Sequence, residues 1–271
     1  MFKLGVRAHD IGKYSAKELS EHVLSYGFEG VQLVFKKAID TPVDFNDLTE
    51  IKKYFGTKPE IFMLGAYFNP VHPDLEIRNE GIEYFKRQLE IANSLNAKFV
   101  GSETGSLMGT PWGYMPENHT QETLDKVIEV FKDLSLTAEK NNSYIAIEGA
   151  YPHVASTPER VKEIVDKINS PHLKVTVDLY NFLNLENYEN RMEILDRSLA
   201  LLKEHIVIFH LKDFVIEGEK LKQVGLGKGL MDYKAIIKRI KEEVPSAYLI
   251  FEGVKKEDLQ ESYELISSLI K

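Results

Sequence analysis

Tyr144-Ile145-Ala146-Ile147-Glu148 is a short apolar run that stops on a carboxylate, and the same design returns three more times. The repeats are Val175-Thr176-Val177-Asp178, Val207-Ile208-Phe209-His210 and Leu249-Ile250-Phe251-Glu252. Each run reads as a strand, and successive runs stand one β-α unit apart. Side chains alternate along a strand, so Ala146 and Tyr144 share a face with Glu148, Thr176 with Asp178, Ile208 with His210, and Ile250 with Glu252. The opposite face carries bulky apolar residues, as expected where helices cover the outside of a barrel. The four polar ends then point inward.

Working outward, strand-like segments are predicted at 3–8, 30–35, 61–67, 98–103, 144–149, 174–179, 206–211 and 247–252. Amphipathic segments lie between them at 16–26, 46–55, 74–95, 120–141, 157–169, 187–204, 232–243 and 257–270. Strict alternation argues for a parallel α/β sheet. Eight of each is the count of a closed (β/α)8 TIM barrel. The chain has 271 residues, close to the ~250 of one such barrel, so residues 1–271 are expected to form a single TIM-barrel domain. Strand ends meet at the C-terminal mouth of a barrel, where enzymes of this fold work.

Local signals agree. Ser15-Ala16-Lys17-Glu18 has capping-box spacing, and Ser156-Thr157-Pro158-Glu159 repeats it with proline in the first turn. Ile82, Phe85, Leu89 and Ala92 recur at helical steps, giving one apolar face. Two long loops are expected at the mouth. Residues 104–119 carry Trp112, Tyr114 and His119, and residues 212–231 carry Gly225, Gly227 and Gly229.

Composition narrows the function. The net charge of −8 disfavours a polyanionic partner, and it leaves a small sugar open. The absence of cysteine excludes disulfides and thiolate metal sites. No window is apolar for the ~18 residues of a membrane span, and the first residues lack the apolar core of a secretion signal. The expected compartment is the cytoplasm.

Glu148, Asp178, His210 and Glu252 bring three carboxylates and one imidazole to one mouth, a ligand set for a divalent metal. Three buried carboxylates repel one another unless a cation sits among them. A rim salt bridge or helix cap explains any one of these residues; the metal reading explains all four.

These residues resemble the metal site of the xylose isomerase-like TIM barrels. Within them the chain is similar to the sugar phosphate isomerase/epimerase group, which includes ketose 3-epimerases and inosose dehydratases. His210-Leu211-Lys212-Asp213 and the following Gly225-Leu226-Gly227-Lys228-Gly229 also look like that group's seventh-strand segment. The resemblance implies one divalent ion (Mn²⁺, Mg²⁺ or Co²⁺, with Zn²⁺ an alternative) held by Glu148, Asp178, His210 and Glu252. It implies that Glu148 and Glu252 also move protons on a ketose, a polyol-derived ketone or a sugar phosphate, through an ene-diolate. Asn181 stands where the epimerases place a histidine, Ile216 where they place an arginine, and Gln32 where the group often has a glutamate.

Lys212, Asn181, His153 and Glu103 are expected to touch substrate, and Trp112, Tyr67 and Tyr114 could stack on a sugar ring. The glycine run 225–229 is a candidate for a phosphate cradle built from backbone amides. Arg7 and His9 could reach the mouth; His72 and His119 are expected not to be ligands. The same site could serve an inosose-type dehydratase. Readings from other classes are an endonuclease IV-like DNA repair phosphodiesterase and a non-catalytic sugar-binding protein. A homo-oligomer is possible.

Overall fold

The computed structural model describes residues 2–110 and 112–271, leaving Met1 and Pro111 outside the described residues. Eight parallel strands close on themselves: β1 (Lys3–Arg7), β2 (Gly30–Leu33), β3 (Glu60–Gly65), β4 (Phe99–Glu103), β5 (Ile145–Glu148), β6 (Leu173–Asp178), β7 (Ile206–Leu211) and β10 (Tyr248–Phe251). Each pairs with the next in sequence around the ring, and β10 closes it against β1. This is a single (β/α)8 TIM barrel.

The intervening β8 (Asp213–Glu217) and β9 (Lys220–Val224) form a separate antiparallel hairpin. The expected 212–231 loop is therefore half ordered sheet. Phe214-Val215-Ile216 is a β-prone triplet, and Gly218 supplies the positive φ of 60° that the turn needs.

Helices cover the outside. α1 (Ala8–Ile11) and α2 (Ala16–Ser25) follow β1, and α3 (Phe35–Ala38) and α4 (Thr49–Phe55) follow β2. The remaining helices are α5 (Leu75–Ala92), α6 (Gln121–Lys140), α7 (Pro158–Ile168), α8 (Arg191–Leu202), α9 (Tyr233–Glu243) and α10 (Leu259–Ile270). The Ser15–Glu18 capping box forms at α2 with both reciprocal bonds. At α7 the cap is Thr157, one residue later than the spacing suggested: its hydroxyl accepts from Arg160 N, and Pro158 fills the first helical position. Phe85, Leu89 and Ala92 are buried along α5, as the apolar steps required.

The barrel interior is sealed below the mouth. Phe62, Met63, Ala146, Ile208 and Ile250 form an inner cluster separate from the outer helix-facing core. Three of them are the inward positions read from strand alternation. The Phe62 ring fills space over Gly5 and Gly30, where a Cβ would collide with it. Tyr248 tilts against Phe62 at 4.3 Å between ring centroids and closes the lower end with Phe99. The polar strand-end side chains therefore meet above this layer, while Lys3 and Lys98 pair with Glu60 at the opposite end.

Candidate metal centre and substrate mouth

The four strand-end side chains meet. Glu148 and Asp178 end β5 and β6, His210 lies in β7, and Glu252 follows β10 directly. His210 Nδ1 sits among all three carboxylates: 3.3 Å from Glu148 Oε1, 3.6 Å from Asp178 Oδ2 and 3.1 Å from Glu252 Oε2. Donor atoms of Glu148, Asp178 and His210 all lie within 4.8 Å of one another. All four side chains are buried.

Buried carboxylates require positive charge nearby. Lys212 Nζ supplies part of it, 2.7 Å from Asp178 Oδ2 and 2.9 Å from Glu252 Oε1. It also donates to Asn181 Oδ1 at 3.0 Å. Arg7 donates to Glu252 Oε1 at 2.7 Å and holds Asp10 on its other side. Asp10 in turn accepts from Gly253 N at 2.7 Å, tying the end of β1 to the turn after β10. Gln32 and Tyr67 complete the wall: Gln32 Nε2 bonds Tyr67 Oη at 2.6 Å and Glu252 Oε2 at 3.4 Å.

The pKa shifts follow this arrangement. Burial disfavours a charged His210, but Glu252 and Glu148 override it and push the imidazole up to about 10. Burial also acts against ionised Glu252, yet Lys212, His210 and Arg7 hold it well below the usual carboxylate range. Glu148 is raised, chiefly by burial, with His210 opposing. Glu103 is pushed up to about 8 by burial and then by the Glu148 charge.

The donor set fits a divalent ion. Oxygen-rich ligands with one imidazole suit Mn²⁺, Mg²⁺, Co²⁺ or Zn²⁺. Glu148, Asp178 and His210 would hold it, with Glu252 reaching the same histidine nitrogen. A positive charge there would take over from the protons and ammonium that balance the carboxylates.

Of the four residues expected to touch substrate, three line a cavity of about 610 Å³ beside the cluster: Glu103, His153 and Asn181. Asn181 Nδ2 donates to Glu148 Oε1 at 2.7 Å, so it links cavity and cluster. His153 is buried, and its Nδ1 has no hydrogen-bond partner among the described residues. Burial lowers its pKa to about 4, keeping the ring neutral. Lys212 instead points its ammonium into the carboxylates and does not line this cavity. Trp112 packs edge-on against His153 at 5.5 Å, and Tyr114 stacks on Tyr151 at 5.6 Å. His72 and His119 bond elsewhere: His72 Nδ1 accepts from Asp74 N at 3.1 Å, and His119 Nε2 contacts the Tyr151 carbonyl at 3.0 Å.

Arg7, Gln32 and Tyr67, each placed near the mouth by the sequence reading, turn out to surround Glu252. Arg7 does reach the mouth, because closure of β1 against β10 brings it beside Glu252. The glycine run is also settled. Gly227 N and Gly229 N donate to Asp213 Oδ2 at 2.8 and 3.0 Å, and Phe214 N and Met231 N donate to Oδ1 at 2.8 and 3.0 Å. An internal carboxylate takes the place that a phosphate would need.

Among known proteins, the chain is 26% identical over 196 residues to a probable endonuclease 4 of Thermosipho africanus, covering 66% of this chain and 64% of that protein. It is 25% identical over 183 residues to a probable L-ribulose-5-phosphate 3-epimerase of Mycoplasma pneumoniae, covering 68% of this chain and 55% of that one. The chain thus spans under two thirds of either relative's length. The structure of a 3-keto-D-glucoside 4-epimerase from E. coli superposes with a TM-score of 0.75 at 16% identity, covering 99% of both chains. A D-tagatose 3-epimerase-like protein gives 0.76 at 19% identity, covering 99% of this chain and 97% of that one. Residues 21–269 match the model of one family, and the chain belongs to it: the xylose isomerase-like TIM barrels.

Proposed function

We propose that this protein is a divalent-metal-dependent sugar isomerase or epimerase. It moves a proton on a carbon next to a ketone through an ene-diolate. The observation that carries this reading is the convergence of Glu148, Asp178 and Glu252 on His210 Nδ1 in a buried mouth beside a sugar-sized cavity. The names of the epimerase relative and structural neighbours point the same way.

The ion, held by Glu148, Asp178, His210 and Glu252, would stabilise negative charge on the carbonyl oxygen. Glu148 and Glu252 would work from opposite sides of the substrate. One accepts the proton beside the carbonyl and the other returns it. Arg7 and Gln32 fix the Glu252 carboxylate, while Asn181 fixes Glu148. His153 and Glu103 would bind hydroxyls at the cavity's inner end. Expulsion of a hydroxyl from the same ene-diolate would give a dehydratase.

The test is metal analysis of the purified protein, followed by proton exchange in D2O with a panel of ketoses and inososes in the presence of Mn²⁺. Substrate-dependent solvent exchange supports the reading; its absence across the panel removes it. The endonuclease relative favours a second reading, DNA phosphodiester cleavage, and nicking of abasic duplex DNA would establish it.

A further inference from the structure

We propose that the barrel carries a binding site on its floor, at the end opposite the carboxylate mouth, and that this site takes a small planar aromatic carboxylate. It is independent of the isomerase reading and stands on other residues.

Strand alternation sets one residue from each of four strand starts on the same inward face as the mouth residues. Phe99 lies four positions before Glu103, Tyr144 four before Glu148, Lys174 four before Asp178 and Tyr248 four before Glu252. The register agrees, because Lys174 pairs with Ala146 and Tyr248 with Ile208, both members of the inner cluster. These four side chains, with Lys98, line a cavity of about 490 Å³. That volume falls within the ~300–1,000 Å³ of small-molecule sites. The inner cluster around Phe62 and Met63 separates it from the mouth.

The wall is aromatic and braced. Phe99 stands edge-on to Tyr144 (6.3 Å, 67°) and to Tyr248 (6.2 Å, 68°). Tyr144 also stacks on His172 at 5.0 Å, and His172 Nδ1 donates to the Ser143 carbonyl at 2.8 Å. Even so, the Tyr144 residue is 36% exposed. Aromatic pairs gain beyond the area they bury, so a flat unsaturated guest fits this wall better than an alkyl one.

Charge selects the guest's polar end. The lining holds two ammonium groups and no carboxylate, in a chain of net charge −8. Lys98 is engaged 3.6 Å from Glu60 Oε2, and Lys3 takes the other oxygen of that carboxylate. Among the described residues, Lys174 has no ion-pair partner, and the Tyr144 and Tyr248 hydroxyls on the same wall have no hydrogen-bond partner. One uncommitted ammonium with phenol donors suits a single carboxylate; a dianion would want a second free cation.

The experiment is calorimetric titration of benzoate, benzamide and cyclohexanecarboxylate into the purified protein, with and without Mn²⁺. Benzoate is expected to bind at least tenfold tighter than either of the others, and equally in both conditions. Lys174→Met should weaken benzoate at least tenfold and bring it level with benzamide; Lys174→Gln repeats the comparison if the methionine variant does not fold. Tyr144→Leu, a change at an exposed ring that spares the fold, should bring benzoate level with cyclohexanecarboxylate. Equal affinity of the three probes, or benzoate binding that these variants leave unchanged, overturns the proposal. Affinity that appears only with Mn²⁺ overturns it too, placing the acid on the metal at the mouth. So does the absence of binding by any probe; a dimer in sedimentation that Tyr144→Glu splits would then give the face to a second copy of the chain. Ketose exchange in D2O is read separately and should survive in the Lys174 and Tyr144 variants, so this site and the isomerase reading fail independently.

Discussion

The Lys212 ammonium lies 2.7 Å from Asp178 Oδ2, deep in a site whose other strand-end groups are carboxylates and one imidazole. A lysine two residues beyond His210 shares its strand face and thus supplies charge from within the chain. Removing it leaves Asp178 and Glu252 short of a counter-ion. Lys212→Met should lower stability by about 3–5 kcal/mol in EDTA, the usual consequence of breaking a buried pair. Added Mn²⁺ should recover much of the loss, because ligand binding to the native state raises its stability. Thermal unfolding with and without the ion checks this. Equal melting of variant and parent in EDTA would refute the counter-ion role.

Glu148→Gln and Glu252→Gln keep the size of each side chain and remove its charge. Each should reduce substrate-dependent exchange by roughly 10²–10⁴-fold, the range for loss of a positioned acid or base. Circular dichroism should stay native. Near-parental exchange in either variant would remove that glutamate from proton transfer.

His153 gives a pH prediction. Burial lowers its pKa from 6.5 to about 4. The folded state therefore binds this proton less readily than the unfolded state does. The contribution is complete above pH 6.5 and lost as pH falls towards 4, amounting to roughly 3 kcal/mol. His153→Asn should flatten that part of the stability profile. Chemical denaturation at pH 7 and pH 4.5 measures it, and an unchanged slope in the variant would contradict the assignment.

The barrel floor predicts a steric effect. An added Cβ at Gly5 would stand 2.7 Å from Phe62 Cδ2. Gly5→Ala and Gly30→Ala should each destabilise the fold by about 1–3 kcal/mol through overpacking. Phe62→Leu in the same chain should relieve part of that loss. Additive effects in the double variants would show that the ring is not the obstacle.

Much of this architecture was legible because it depends on repeated local signals. Apolar runs and strand alternation gave the barrel, and they placed Ala146, Ile208 and Ile250 inside it. The inward face of Glu148, Asp178 and His210 followed from the same period of two. What escaped was set by closure and by long-range pairing. Arg7 reaches Glu252 across 245 positions of sequence, and no local pattern carries that information. The hairpin after β7 was masked by its glycines and charges, which read as loop composition. The glycine run could not reveal that the four amides around it serve Asp213, since backbone direction is invisible in sequence. Lys212 shows the opposite case: its inward face was readable, but not that its charge would be spent inside the cluster.

Phe62, Phe99 and Tyr248 stopper the lower end, so the chamber is blind on that side. Anything that reaches the carboxylates must therefore arrive from the face where the strands end.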